Sequence, residues 1–517
     1  MPAIVYPCNP NAPEIPEGHY SRLCPRANGD WDPFEPAALE ALAEQMKDSH
    51  ERRTERGKRK IGRTTMPSGY VYFGQFIDHD ITRDNRAPEK AIPCVEEIQN
   101  FRTAKLDLEP LYGKIPESVP CIYERDGERL KLGPTLEAQG TDGRPIFSSL
   151  DDLPRVLDGD SKGTATLIDP RNDENLIVAQ LHVLFAKFHN LALELIRNQP
   201  ELSPEPPKSL LDRTRRFVTW HYQWLVINDF LPRVVREEVL SDIKKAGSQP
   251  RLFKRWYTPK KDAVVPLSVE FTVAAFRFGH SAVRSGYDLN DYVGGGNATQ
   301  IIQMTKRGGG IITQLPANWV ISWRKFFWGV PGELNLAAET DTNISEMLYD
   351  LPKQTAEAFR FQSQFRLGDF RPGEKMMPTL PAATLKRGSN IRLPSGEEFA
   401  RSFRYDPIDP CVLFPDQKDF FESKLNGRTP LWYYLLREAA VEPNSEPGIG
   451  GLQLQKLGSI GSRIVAETLY QLLHADGESI FNAGRGWAPP VFNFGPNRRR
   501  WRIRSMSDLA RFVERSS

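Results

Sequence analysis

One short stretch of the chain is dense in groups that do chemistry: Gly74-Gln75-Phe76-Ile77-Asp78-His79-Asp80, running on into Ile81-Thr82. A histidine sits between two carboxylates, behind an apolar pair. If the stretch is helical, successive side chains point about 100° apart, so Asp78 and Asp80 diverge by roughly 200° and His79 faces a third direction. A carboxylate taken out of water needs a cation, a metal or a covalent role to offset its desolvation. One histidine with two oppositely directed acids therefore suits a catalytic base, a cofactor anchor and a metal ligand. The same residues also suit a plain helix start with solvated acids and a satisfied histidine. The heptapeptide alone does not choose.

Four further segments bear on the choice. Asp169-Pro170-Arg171-Asn172-Asp173-Glu174-Asn175 leads into a periodic apolar helix, Leu176–Ile196. Pro170 ends any helix before it, and the Asn and Asp residues cap the one after. On those grounds Arg171 pairs with Asp169 or Asp173. The run Asn100–Glu109 gathers oxygens at Thr103, Asp107 and Glu109. It is either a polar turn or part of the set of about six to eight oxygens that calcium prefers. The segment Glu270–Ser281 ends in Phe278-Gly279-His280-Ser281, where Gly279 permits close approach of a flat ligand. An isolated helical histidine is, however, ordinarily structural. The last segment is Ala383-Thr384-Leu385-Lys386-Arg387-Gly388, with Leu393-Pro394-Ser395-Gly396 after it.

Together and in this order, the segments resemble those of the animal-type haem peroxidase superfamily, which includes myeloperoxidase, lactoperoxidase, peroxinectins and many bacterial relatives. The resemblance runs from about residue 20 to the C-terminus. It implies a mainly α-helical peroxidase fold with little β structure and haem b between two central helices. It assigns His79 as the acid–base residue, Gln75 as the glutamine associated with halide binding, and Asp78 as an ester-linked haem anchor. Arg171 falls on the distal arginine and Glu174 on the second ester. Asn175 stands where myeloperoxidase bonds a methionine to haem, so that third linkage is expected to be absent. His280 matches the proximal iron ligand. Thr384 replaces the asparagine that usually accepts the proximal imidazole N–H; a hydroxyl can do so with a shorter reach. A calcium site would take Asp80, Thr103, the carbonyl of Lys105, Asp107 and Glu109, with Glu109 in place of a more usual serine or aspartate.

The implied reaction reduces hydrogen peroxide through a ferryl intermediate and oxidises small organic donors or halides, as in a response to oxidative stress. The superfamily also holds fatty-acid dioxygenases of the cyclooxygenase and α-dioxygenase kind. Those abstract hydrogen with a tyrosine three residues before the proximal histidine, where this chain has Arg277 between Phe276 and Phe278. A haem-containing adhesion protein is the other alternative. Retention of His79, Arg171 and Gln75 speaks for chemistry.

Such groups need long helices to position them. Periodic segments at 176–197, 211–230, 268–284 and 455–474 supply these, with a shorter one at 36–47. Residues 1–33, rich in Pro, Asn and Asp, read as a surface arm, and 34–517 as a single catalytic domain. Residues 84–99, 122–163 and 288–350 read as loops, and Gly294–Gly296 lacks the strand-to-helix frame of a phosphate loop. His182 and His189 read as core, as do the aromatics of Thr219–Trp224.

Sixty-eight basic and 66 acidic residues leave a net charge of +2, so no overall field draws nucleic acid or a membrane surface. The basic runs Arg52–Lys60 and Asn497–Arg502 read as solvated surface. No run approaches about 18 uncharged apolar residues, so no membrane span is expected. The N-terminus lacks a basic leader with an apolar core, and so does not read as a signal peptide. Cys8, Cys24, Cys94, Cys121 and Cys411 are odd in number and spread, which fits a reducing compartment. The expected location is the cytoplasm, unless a leader has been removed.

Overall fold

The long periodic stretches fold as helices, and the chain is mainly α. The structure, a computed structural model, describes residues 18–24, 31–47, 65–84, 94–114, 119–159, 161–203, 209–246, 252, 264–307, 312–330, 332–349, 379–415, 418–442, 456–484 and 486–516. Its longer helices include α1 (Pro36–Gln45), α2 (Gly69–Ile81), α3 (Leu176–Asn198), α4 (Leu210–Leu225), α5 (Leu380–Asn390), α6 (Leu431–Val441) and α7 (Ser459–Ala475). Among the described residues, β structure amounts to four two-stranded antiparallel ribbons and a few isolated bridges. The basic run Arg52–Lys60 and most of the expected arm at 1–33 lie outside the described residues.

Aromatic packing fixes α2, the helix that carries the heptapeptide. Phe73 and Phe76 stack on Phe185 of α3, with ring centroids 6.2 and 5.1 Å apart and interplanar angles of 12° and 8°. Tyr222 of α4 meets both rings edge-on, and Phe230 just beyond it meets Phe73. Such pairs add about 0.5–1.5 kcal/mol each beyond the burial of their area. Two glycines let the neighbours close in. A Cβ at Gly69 would lie 2.5 Å from the Phe327 ring, and one at Gly74 would lie 3.3 Å from the Phe230 ring. Gly74, inside the heptapeptide, is thus a packing residue.

The start of α3 follows from its caps. Pro170–Asp173 forms a single tight turn, and Asn175 Oδ1 then accepts the N–H of Val178 at 3.0 Å. The helix is long and apolar enough to cross a membrane by length and composition, yet it is buried against α2 and α4 as a core helix.

The expected helix at 268–284 is not continuous. It divides into Val269–Val273, a tight turn at Ala275–Phe278 and a last turn at Gly279–Ala282. In an unbroken helix the carbonyl of Thr272 would receive the N–H of residue 276. Here it accepts Arg277 Nε at 3.2 Å, and Ala274 leaves the helical region at φ −124°, ψ −73°. The break turns Gly279 and His280 toward α2.

Part of the arm also departs from expectation. Tyr20, Leu23 and Cys24 are core residues, and Glu270 accepts the N–H groups of Leu23 and Cys24 at 3.0 and 3.1 Å. Residues 18–24 therefore brace the His280 segment instead of wrapping the surface. Cys121 is disulfide-bonded, which runs against a reading of five reduced thiols.

Candidate active site

His79 lies near the C-terminal end of α2 and is buried among core residues. Its Nδ1 is 2.8 Å from Asn172 Oδ1, and Asn172 Nδ2 is 3.1 Å from His182 Nδ1. Burial, reinforced by the nearby Arg171 charge, pushes the His79 pKa down to about 3, so the ring is neutral at physiological pH. Gln75, one turn earlier, accepts Asn175 Nδ2 on its Oε1 at 3.2 Å. Gln75 and His79 thus share one wall, tied twice to the segment that opens α3.

Arg171 does pair with Asp169, as its position at a helix start suggests, but it also does more. Its Nε and Nη2 engage both Asp169 oxygens at 2.7–3.2 Å, and Nη2 donates to the carbonyls of His79 and Thr82 at 3.0 and 2.7 Å. Burial alone would raise the Asp169 carboxyl, but Arg171 and then Arg102 hold it well below the usual carboxylate range. Arg171 Nη1 makes no hydrogen bond to the described residues, and 18% of the side chain stays accessible. One edge of a fixed cation is therefore left for a bound oxygen.

The two acids expected to anchor haem differ in their surroundings. Asp78 is half-buried and accepts Thr82 Oγ1 at 3.1 Å; burial raises its pKa despite Arg171 and Arg277. Glu174 is buried with no partner for its Oε1, and burial lifts its pKa to about 8 against the pull of Arg171 and Arg307. An unpartnered buried carboxyl is costly unless something else engages it.

His280 packs edge-on against Trp432, with ring centroids 6.0 Å apart. A Cβ at Gly279 would make an ordinary contact with Val71 of α2, at 4.0 Å, so the His280 turn lies against α2. Burial and then Arg277 lower the His280 pKa to about 3, leaving a neutral imidazole able to bind a metal. Its Nδ1 is buried without a hydrogen-bond partner. Thr384 does not supply one: its Oγ1 donates to Leu380 O, one turn back in α5, at 2.9 Å. The expected Thr384–His280 bond is therefore absent. Gln75, Asp78, Arg171, Gly279 and His280 all keep accessible surface while most of their neighbours on α2 and the His280 segment are buried. Part-exposed groups on segments otherwise buried suit contact with a flat cofactor.

The acidic cluster behind α2 is only partly as expected. Asp80 is fully buried and accepts the N–H groups of Leu108 and Glu109 at 3.3 and 2.8 Å. Thr103 Oγ1 donates to Asp107 at 3.0 Å. Burial and then Asp107 push the Asp80 carboxyl well above its ordinary range, and burial and then Glu109 push Asp107 up to about 7. The oxygens of Glu109, in contrast, are committed: Oε1 to Arg102 Nη1 and Oε2 to the N–H of Thr103, each at 2.9 Å. Glu109 neutralises Arg102 and is not available as a free ligand. Among the described residues, no group of three or more His, Cys, Asp and Glu side chains is arranged to hold a metal ion.

Two residues that matter here carry no signal in the sequence. Asn172 reads as one more capping residue of the turn before α3. Arg102, fully buried, joins Glu109, Asp169 and the carbonyl of His79 into one network. Only the fold brings those partners to it.

The fold is mainly α, and two segments packed against each other carry neutral imidazoles, His79 on α2 and His280 on the last turn of its segment. Residues 90–408 match the animal haem peroxidase family, and the chain belongs to it. Arg171, Glu174, His280 and Thr384 fall within the match, while the Gly74–Asp80 stretch lies before it. A peroxidase-like protein of Margaritifera margaritifera is 34% identical over 262 residues, covering 42% of this chain and 32% of that relative. The alignment thus spans about a third of the relative's length. Among solved structures, peroxidase A from Dictyostelium discoideum superposes with a TM-score of 0.55 at 16% identity, covering 93% of this chain and 92% of that one. A fatty acid alpha-dioxygenase from Oryza sativa gives 0.53 at 14% identity, over 91% and 77%. At such identities the likenesses bear on the fold alone.

Proposed function

We propose that the chain reduces hydrogen peroxide at haem b held between α2 and the His280 turn, and oxidises small organic donors. The observation that carries this is the set of groups that two contacting segments present: neutral His79 on α2 with the accessible edge of Arg171 beside it, and neutral His280 next to Gly279 on the turn packed against α2. Haem bound there would supply the iron that cleaves the peroxide bond and takes up its oxidising equivalents. His280 would hold the iron. Arg277, whose pKa burial and then Arg387 lower to about 10, would add positive charge near it. His79 takes the proton from peroxide and returns it to the departing oxygen. Arg171 keeps positive charge where that oxygen becomes negative. Gln75, on the His79 wall, supports halide as a second class of donor.

Peroxide-dependent oxidation of guaiacol, set against oxygen uptake with a fatty acid, tests the reading. Guaiacol turnover without fatty-acid oxygen uptake is expected, because Arg277 between the buried Phe276 and Phe278 leaves no tyrosine for hydrogen abstraction. The opposite result would make the chain a dioxygenase. A haem-loaded protein doing neither would be a binding protein.

Two finer features belong to this reading. Asp78 and Glu174 would be the carboxyls available for ester links to haem; the unpartnered Oε1 of Glu174 supports this most directly. Attachment needs oxidising equivalents, so it grows with turnover and not with binding alone. After repeated peroxide, denatured protein should gain the mass of one haem, and Glu174→Ala should reduce that gain. Complete extraction of haem into acidified organic solvent would defeat the esters while leaving the peroxidase intact.

Calcium is the second feature. Asp107 raises the need of Asp80 for a cation, as Glu109 raises that of Asp107, and the Thr103 hydroxyl and Lys105 carbonyl would add neutral oxygens of the kind calcium takes. Elemental analysis of purified protein should find calcium, lost in Asp80→Asn together with some haem retention. A calcium-free wild type would leave the cluster as protonated acids tied to backbone N–H groups.

A further inference from the structure

Asn172 lies between two buried histidines, with Oδ1 2.8 Å from His79 Nδ1 and Nδ2 3.1 Å from His182 Nδ1. An amide oxygen only accepts hydrogen bonds and an amide nitrogen only donates them. The arrangement therefore needs hydrogen on His79 Nδ1 and none on His182 Nδ1. With its single ring hydrogen on Nδ1, a neutral His79 leaves Nε2 bare, and Nε2 is then the atom able to take a proton. His182 must carry its hydrogen on Nε2; the residue lines a small cavity beside Lys131 and Thr166.

The frame around this amide is fixed. Asn172 is fully buried, and its own N–H donates to Asp169 O at 3.0 Å. From the other side, Arg171 Nη2 and Arg102 Nε donate to the carbonyl of His79 at 3.0 and 3.2 Å. The imidazole thus has a pinned backbone and one side-chain partner. If the amide were turned over, its NH2 would face His79, the ring hydrogen would move to Nε2, and Nε2 could no longer take a proton.

We propose that Asn172 is a positioning residue: it fixes His79 as the Nδ1–H tautomer with Nε2 toward bound peroxide, and His182 keeps the Asn172 amide from turning over. The purpose rests on the peroxidase reading; the tautomers rest on the geometry alone.

Histidine-selective 15N labelling reads this directly, since the chain has eight histidines. The sample is the haem-loaded protein in its diamagnetic ferrous form with carbon monoxide bound. Wild type is expected to show hydrogen on Nδ1 of His79 and on Nε2 of His182. Asn172→Asp keeps an acceptor for His79, so His79 holds its tautomer while His182 switches to donating from Nδ1. Asn172→Leu loses the fixed His79 tautomer. It also slows the peroxide-driven change in haem absorption by roughly 10- to 100-fold, the scale of losing a partner that orients a functional imidazole. Asn172→Asp slows it less. His182→Phe frees the amide to turn and gives mixed His79 tautomers, which keeps the test decisive if Asn172→Leu does not fold. Hydrogen on Nε2 of His79 in the wild type would overturn the proposal. So would an unchanged tautomer in both Asn172→Leu and His182→Phe. A wild type with the expected tautomers but no reaction with peroxide would instead sink the peroxidase reading and leave the positioning standing.

Discussion

Replacing His280 by alanine is expected to leave the purified protein without haem. The imidazole is suited to bind iron, and its neighbours Phe276 and Phe278 are buried aromatics that bind none. Because Nδ1 has no hydrogen-bond partner and the ring is placed mainly by Trp432, removing it breaks no polar network. The helical content should therefore survive the change, which separates loss of a ligand from loss of the fold. His280→Gly in the presence of free imidazole should recover haem absorption, since glycine leaves room for the missing ring. A His280→Ala protein with a five-coordinate histidine-type spectrum and full activity would show that the iron ligand lies elsewhere.

The sequence carried the long helices well, because their apolar periodicity comes from the same burial that the fold realises. Leu176–Asn198 begins and ends within two residues of expectation, held by the Asn175 cap. Local pattern failed where a distant or sideways contact decides. The 268–284 segment is periodic, yet Arg277 takes a carbonyl from the helix ladder and breaks it. Thr384 was expected to reach His280, but a helical hydroxyl has its own carbonyl one turn back, and that nearer acceptor wins. Glu109 looks like a ligand until Arg102 is seen beside it. The family resemblance assigns roles to His79, Arg171 and Glu174. It could not supply Asn172, whose importance lies in touching two histidines that are 93 and 10 residues away.

Removing His79 should slow the reaction with peroxide by roughly 10²- to 10⁴-fold, the range for a positioned acid–base group. His79→Leu suits the test, because an apolar side chain fills the buried site without adding a charge. Haem content should be kept, since the iron ligand is on the other wall. Arg171 should matter on a similar scale, roughly 10²- to 10³-fold as for a preorganised charge, but its variant needs more care. The guanidinium also holds Asp169 and the last carbonyls of α2, so Arg171→Lys, which keeps the cation, is the informative change. Stopped-flow absorption with peroxide gives both rates. The pH dependence supplies an independent check. His79 has its pKa lowered from 6.5 to about 3, so the neutral base persists as pH falls through 6.5. The rate should stay flat from about pH 7 to about pH 4, where a solvated histidine would already have lost most of its base form. A rate that halves near pH 6.5 would mean that His79 is not buried as described, and unchanged peroxide reactivity in both His79→Leu and Arg171→Lys would remove the proton-transfer mechanism altogether.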